Sequence, residues 1–312
     1  MAKPKVLFLL SPGWNALGKD SFSHDSYEAV IHGRDDYAPG DITYFSGFRP
    51  APGFLKTLPN LQAVFSLGAG VDAFLVDPEF PRHLPLTRFV NPTLAHEMAQ
   101  YVTMHVLIAH RGQREFDAAQ ASCEWKQRML ARASRDTRIG ILGLGDIGGS
   151  VATSLLPFDF PVSGWSRTRK DIPDVKSYAG EGEMDAFLAA SDYLVCVLPL
   201  TPATRGILNA RLFAKLPKGA VVINVARGGH LIEDDLIAAL DSGHLAGAVL
   251  DVFQVEPLPV ESPIWKHPKI TATPHIAGIT DPMAARDYVV DCVARAESGK
   301  PLPNLIDVGK GY

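Results

Sequence analysis

Three residues carry the chemistry open to this sequence. Arg227 lies in Asn224-Val-Ala-Arg-Gly-Gly229, Glu256 in Asp251-Val-Phe-Gln-Val-Glu-Pro257, and His275 in Thr273-Pro-His-Ile-Ala-Gly278. Each follows a short apolar run that reads as a strand. An arginine grips a carboxylate through paired donors and polarises a neighbouring carbonyl. A histidine titrates near neutral pH and can hand a proton to a developing alkoxide. A carboxylate beside that histidine favours the imidazolium. Taken singly, each residue has a bland explanation: a surface charge, a structural histidine, a Glu-Pro turn. Together, at strand ends of one nucleotide-binding unit, they form an active-site constellation whose chemistry fits a 2-oxo acid.

A second constellation is a phosphate loop. Gly143-Leu-Gly-Asp-Ile-Gly148 follows the strand Arg138–Leu142 and opens the helix Ile147–Leu156. Gly143 permits the tight turn, Gly145 lets backbone approach a pyrophosphate, and Gly148 lets helix and strand pack closely. The helix N-terminus adds N–H groups and positive potential. At the tip of the next strand, an Asp or Glu would bind the ribose hydroxyls of NAD. This sequence has Ser166-Arg-Thr-Arg169 there, with two guanidiniums suited to a 2′-phosphate. The expected cofactor is NADP(H), with NAD(H) the weaker partner. A third feature is the turn Gly68-Ala-Gly-Val-Asp72, whose exposed N–H groups could make an anion nest.

Strands alternating with helices must position these groups. Lys5–Leu10, Ile42–Phe45, Leu61–Leu67 and Leu86–Val90 read as strands of a first set. A long helical pattern, Thr93–Cys123, follows without proline and is expected to bend or to cross between domains. A second set contains Arg138–Leu142, Pro161–Trp165, Tyr193–Leu198, Ala220–Val225, Ala246–Val252 and Ile270–Thr273, with helices at Ile147–Leu156 and Glu233–Leu240. The very apolar Ala220–Val225 is expected to be central in a parallel sheet. Pro282–Glu297 is a closing helix that begins with proline. It has no strand after it, so it is expected to return to the first set. The expected fold is α/β: two doubly wound parallel-sheet domains with a cleft between them. The substrate-binding domain would span 1–94 plus 282–312, and the dinucleotide-binding Rossmann domain 95–281.

Length and composition agree. A chain of 312 residues has room for two domains at roughly 100–200 residues each. The net charge of −4 comes with no run of basic residues, which argues against a nucleic-acid partner. No apolar stretch is long enough to span a membrane. The opening Lys-flanked run Val6–Leu10 is too short for a signal peptide and reads as a buried strand. Cys123, Cys196 and Cys292 are odd in number and far apart, so they are expected as buried or half-buried thiols of a cytoplasmic protein. No metal site is expected, because His96-Glu97 lacks the second histidine of a zinc motif.

Four motifs in order resemble the D-2-hydroxyacid dehydrogenases: the Gly143–Gly148 loop, Asn224–Gly228, Leu250-Asp-Val-Phe253 with Glu256-Pro-Leu258, and Thr273-Pro-His275. Trp165–Lys170, Val260-Glu-Ser-Pro-Ile-Trp265 and the Gly311-Tyr312 ending resemble the bacterial glyoxylate/hydroxypyruvate reductase A group within that family. The resemblance implies a flavodoxin-like substrate domain beside the Rossmann domain, and NADPH-dependent reduction of glyoxylate and hydroxypyruvate. It implies that Arg227 binds the substrate carboxylate and carbonyl oxygen. His275 would donate the proton, with Glu256 as its partner. Ala69 and Gly70 would offer N–H groups to the carboxylate. For the cofactor, Leu144, Gly145, Asp146 and Ile147 would cover the pyrophosphate. Ser166, Arg167 and Thr168 would hold the 2′-phosphate end. Pro199, Thr204, Val225 and Ala226 would line the cofactor cleft, and Asp251 would bond the nicotinamide amide. The resemblance further implies a homodimer through the cofactor domain, involving the long helix, and two domains that close on the substrate. His230, where the family varies, reads as a bystander.

Two other readings use the same fold. One is a non-catalytic NAD(P)-sensing regulator, against which the presence of Arg227, Glu256 and His275 speaks. The other is a dehydrogenase for another small acid such as formate or phosphite. Formate enzymes of this kind pair the histidine with a glutamine, where this sequence has Glu256.

Overall fold

The computed structural model describes residues 3–14, 16–90, 92–127 and 132–309. The Gly311-Tyr312 ending lies outside them. The chain divides into two compact units, Met1–Asn91 with Thr280–Tyr312, and Pro92–Ile279. In chain order the elements are β1 (Lys5–Leu9), β2 (Glu28–Ile31), β3 (Ile42–Gly47), β4 (Ala63–Ser66), α1 (Asp72–Leu75), β5 (Leu86–Arg88), α2 (Pro92–Arg111), α3 (Gln113–Ala121), β6 (Ile139–Leu142), α4 (Asp146–Leu155), β7 (Val162–Ser166), β8 (Lys176–Ala179), α5 (Met184–Ala189), β9 (Tyr193–Cys196), α6 (Ala210–Phe213), β10 (Ala220–Asn224), α7 (Glu233–Asp241), β11 (Leu245–Leu250), β12 (Ile270–Ala272) and α8 (Pro282–Glu297).

The first unit holds a five-stranded sheet in the order β2-β1-β3-β4-β5, parallel throughout. That is the flavodoxin-like order. On one face α8 buries Ala285, Val289, Cys292 and Val293 among Val6, Phe8, Tyr44 and Phe65. The helix starts cleanly, because the Asp281 carboxylate accepts from the Met283 and Ala284 N–H groups and Pro282 needs no acceptor.

The second unit holds a seven-stranded parallel sheet, β12-β11-β10-β9-β6-β7-β8. Counted from β6, this is the doubly wound order of dinucleotide-binding domains with one strand added at the edge. The central strands β6, β9 and β10 are buried along their whole length. Strands covered on both faces read as unbroken apolar runs, as Ala-Val-Val-Ile in β10 does. Met98, Val102 and Val106 of α2 form a stripe at four-residue spacing, packed with Val151, Ala152 and Leu155 of α4 and with Ile141, Val195 and Ile223 of the sheet.

The structure departs from the sequence reading at several points. The long helical pattern of residues 93–123, expected to bend, breaks outright into two helices, because Gly112 adopts a left-handed conformation (φ 67°) between α2 and α3. Strands β2 and β8 carry no strong sequence signal: one is four residues long, and the other is an edge strand with polar residues and only Tyr178 buried. Cys196 and Cys292 are buried as expected, but Cys123 is exposed just beyond α3. No helix among the described residues is long and apolar enough to cross a membrane.

Candidate active site

The topology puts the phosphate loop where the strand order reverses, between β6 and β9, which is where ligands bind in such sheets. Gly143 leaves β6 at φ 115°, and a Cβ there would stand 3.1 Å from the Val197 carbonyl beyond β9. A Cβ on Gly148 would sit 1.8 Å from the Gly143 carbonyl oxygen, so strand and helix touch backbone to backbone. Gly145 differs: a Cβ there would meet nothing within 4 Å. The loop is thus tight on its inner side and open at Gly145, over the N-terminus of the ten-residue helix α4. A pyrophosphate fits that opening. The Leu144 side chain is buried against Gly164, so only its backbone is available to a ligand.

At the end of β7, Ser166 Oγ donates to the Thr168 carbonyl at 2.7 Å and closes the turn. Arg167 and Thr168 are exposed. The second guanidinium of the expected pair has other work. Arg169 donates to Glu183 Oε1 at 2.6 Å and to the Ser177 carbonyl. The Glu183 carboxyl is held below its usual range, first by the Ala179 N–H and then by Arg169. Arg167 keeps its place at the exposed tip of β7.

Beyond β9, the Thr204 hydroxyl donates to the Pro199 carbonyl at 2.7 Å and accepts from the Thr201 N–H at 2.9 Å, which fixes that loop. Beyond β10, the fully buried Asn224 side chain folds the chain back. Its Oδ1 accepts from Ala226 N at 3.2 Å, and its Nδ2 donates to the Arg227 carbonyl at 3.0 Å. Val225 and Ala226 bury their side chains in this turn. Arg227 is half-buried, and its Nη1 donates to the Ala226 carbonyl at 2.7 Å. Gly228 is obligatory, since a Cβ would stand 1.8 Å from the Phe253 carbonyl carbon. His230, expected as a bystander to the chemistry, has a structural place. It is fully buried, with Nδ1 3.1 Å from the Arg227 carbonyl and Nε2 3.3 Å from the Pro199 carbonyl, and so lies between the two loops.

His275 follows β12 at φ 58°, a left-handed conformation that a histidine adopts only under constraint. Its Nδ1 donates to Glu256 Oε2 at 2.9 Å, and Glu256 Oε1 accepts from the Phe253 N–H at 3.0 Å. Because a carboxylate can only accept, Nδ1 carries the hydrogen of this pair, and Nε2 is the nitrogen left for a substrate. The His275 side chain is 41% exposed. Asp251 is 1% exposed. Its Oδ1 accepts from Thr273 Oγ1 (2.6 Å) and the Ile276 N–H (2.8 Å), and its Oδ2 from the Ala277 N–H (2.8 Å). The carboxylate expected to bond the nicotinamide amide thus holds the Thr273 hydroxyl before His275 and the Ile276 and Ala277 N–H groups after it.

In the first unit, the turn after β4 is pinned by Ser66. Its hydroxyl lies 3.0 Å from the Gly68 carbonyl and 3.3 Å from that of Gly70. Among the described residues, the Ala69 and Gly70 N–H groups meet no acceptor.

Sequence reasoning brought out Arg227, Glu256 and His275 but gave no role to Asn224, Thr273 or Tyr101. Asn224 had a readable signal, being the lone polar residue closing an apolar strand. Tyr101 had none, because nothing in a helical pattern says which strand end its hydroxyl reaches.

Residues 103–277 match the model of the D-isomer specific 2-hydroxyacid dehydrogenase, NAD binding domain. Three of the solved structures that resemble the whole chain are as follows. A D-isomer specific 2-hydroxyacid dehydrogenase from Xanthobacter autotrophicus Py2, in complex with NADPH and MES, is 40% identical over 100% of both chains, with a TM-score of 0.90. An NADPH-dependent glyoxylate/hydroxypyruvate reductase from Sinorhizobium meliloti, in complex with NADP and sulfate, is 37% identical over 99% of this chain and 100% of that one, also with a TM-score of 0.90. A probable 2-hydroxyacid dehydrogenase from Rhizobium etli CFN 42, with NADP, HEPES and L(+)-tartaric acid, is 35% identical over 100% of both, with a TM-score of 0.88.

Proposed function

The chain belongs to the D-isomer specific 2-hydroxyacid dehydrogenase family, and from that premise we propose that it reduces small 2-oxo acids, glyoxylate and hydroxypyruvate foremost, with NADPH. The observation that carries the reading is the His275–Glu256 pair, 2.9 Å apart, on the same sheet edge as Arg227 and the phosphate loop. NADPH supplies the hydride when bound. The chain's own residues do the rest. The N–H groups of residues 144–147 meet the pyrophosphate at the open face of Gly145. Ser166, Arg167 and Thr168 receive the 2′-phosphate, and the Pro199, Thr204, Val225 and Ala226 backbones line the cofactor's course. Arg227 binds the acid's carboxylate and polarises its carbonyl. Within the first unit, the Ala69 and Gly70 N–H groups form an anion nest suited to a carboxylate.

His275 gives its Nε2 proton to the carbonyl oxygen as charge develops there. Glu256 accepts the Nδ1 hydrogen and keeps the ring oriented. NADPH over NADH is supported by the absence of a carboxylate at the β7 tip and by the NADP(H) bound in the relatives. Assembly as a homodimer through the second unit belongs to the same proposal and is supported by membership of the family. Light scattering of the purified protein tests it.

The decisive experiment pairs NADPH or NADH with glyoxylate, hydroxypyruvate and pyruvate and follows cofactor oxidation. Fast NADPH loss with the first two acids is the expected result. NADPH binding without turnover of any acid would leave a cofactor-sensing regulator as the reading.

A further inference from the structure

A chain of hydroxyls runs from helix α2 to the turn that carries His275. The Tyr101 hydroxyl is 2.5 Å from Thr273 Oγ1, and Thr273 Oγ1 is 2.6 Å from Asp251 Oδ1. The polarity of this chain is fixed. A carboxylate cannot donate, so the Thr273 proton points at Asp251, and the Thr273 oxygen accepts from Tyr101. Asp251 then holds the Ile276 and Ala277 N–H groups through its carboxylate, and its own carbonyl accepts from the His275 N–H at 2.8 Å. All of these bonds close on the segment where His275 sits at φ 58°.

We propose that Tyr101 and Thr273 are positioning residues, which act through Asp251 to hold the His275 turn in its left-handed conformation and so aim the imidazole at the substrate. The proposal rests on the reading of His275 as the proton donor. Burial pushes the Tyr101 phenol up to about 12, so it remains a hydrogen-bond donor throughout the neutral range. His105 packs on the Tyr101 ring at 4.3 Å between centroids, and burial lowers its pKa. The hydroxyl and backbone donors to Asp251 are neutral groups as well. The network is a rigid strut between helix and turn, with no role in carrying protons.

The test measures single-turnover NADPH oxidation with glyoxylate in H2O and D2O, for the wild type, Tyr101→Phe, Thr273→Val, Thr273→Ser, the Tyr101→Phe/Thr273→Val double variant and His275→Gln. Tyr101→Phe is expected to slow the hydride step by about 3- to 10-fold, the worth of one hydrogen bond, with NADPH affinity unchanged. It should also enlarge the solvent isotope effect, because a poorly aimed donor makes proton transfer a larger part of the barrier. Thr273→Ser keeps the hydroxyl and should recover most of what Thr273→Val loses. The double variant should lose no more than Thr273→Val alone, because either cut breaks the same strut. An unchanged isotope effect in Tyr101→Phe, with only a smaller active fraction, would reduce the network to a structural one and overturn the proposal; fully additive losses would do the same. If His275→Gln turned over like the wild type, the proton-donor reading and this proposal would fall together. If only His275→Gln were impaired, the proposal alone would fall.

Discussion

Nδ1 of His275 lies 2.9 Å from Oε2 of Glu256, and the other Glu256 oxygen is held at 3.0 Å by the Phe253 N–H. The ring is therefore oriented by a carboxylate that is itself oriented by backbone. His275→Gln removes the proton donor, and kcat with NADPH and glyoxylate should fall about 100- to 10,000-fold. Glu256→Gln keeps an acceptor near Nδ1 but loses the charge, and a smaller fall of about 10- to 100-fold is expected, as for other partners that orient a working imidazole. NADPH affinity, followed by fluorescence titration, should stay within about twofold in both, since neither residue belongs to the phosphate loop. A parallel loss of affinity would remove His275 from the proton-donor role.

The two arginines at the β7 tip should behave differently. Arg169 donates to Glu183 and to the Ser177 carbonyl on β8, away from the tip, and Arg167 follows Ser166 directly at the exposed turn. A charged hydrogen bond to a phosphate is worth about 1.5–3 kcal/mol, so Arg167→Ala should weaken NADPH by about 10- to 100-fold and leave NADH nearly unchanged. Arg169→Ala should change the NADPH-to-NADH preference by no more than about threefold. Kinetics with both cofactors decide the matter, and equal losses of NADPH and NADH in Arg167→Ala would refute the 2′-phosphate assignment.

Much of this site was legible because its parts are tied to local sequence pattern. Gly143, Gly145 and Gly148 announce themselves through a strand before and a helix after, and Arg227, Glu256 and His275 stand out as charge at the ends of apolar runs. What sequence could not show depends on tertiary contact. Arg169 looks equivalent to Arg167 until Glu183, fourteen residues on, is seen to occupy it. His230 had no signal of its own in sequence; the fold places it, fully buried, between two loops. Strands β2 and β8 owe their conformation to pairing with β1 and β7 rather than to their own residues. The break at Gly112 was carried by a single glycine in a run that otherwise reads as one helix.

Gly148 and Gly145 separate folding from binding within one loop. Gly148→Ala drives a methyl group to 1.8 Å from the Gly143 carbonyl oxygen. Overpacking of this kind costs about 1–3 kcal/mol, so Tm should drop by about 2–12 °C along with the loss of NADPH binding. Gly145→Ala places its methyl group in open space, and the apo protein should melt within about 2 °C of the wild type. Its NADPH affinity should nonetheless fall by about tenfold or more, because the methyl group takes the room proposed for the pyrophosphate. Differential scanning calorimetry with and without NADPH reads both effects. Unchanged affinity in Gly145→Ala would place the pyrophosphate elsewhere.

Acid stability should depend on Asp192, at the N-terminal end of β9. Burial alone would raise its pKa. The Arg138 side chain, the Arg138 N–H and Arg132 outweigh that effect and leave the carboxyl below its usual value. A carboxyl with a depressed folded-state pKa contributes stability in full above its unfolded value of about 3.9, and the contribution disappears as pH falls through the folded value. Asp192→Asn removes the charge at every pH, so its Tm should lie below that of the wild type at pH 6. The gap should narrow as pH falls below about 4, where the wild type too loses the charged pair. Melting curves between pH 3 and pH 6 test this, and a gap that stays constant across the range would mean that Asp192 acts through hydrogen-bond geometry rather than through its charge.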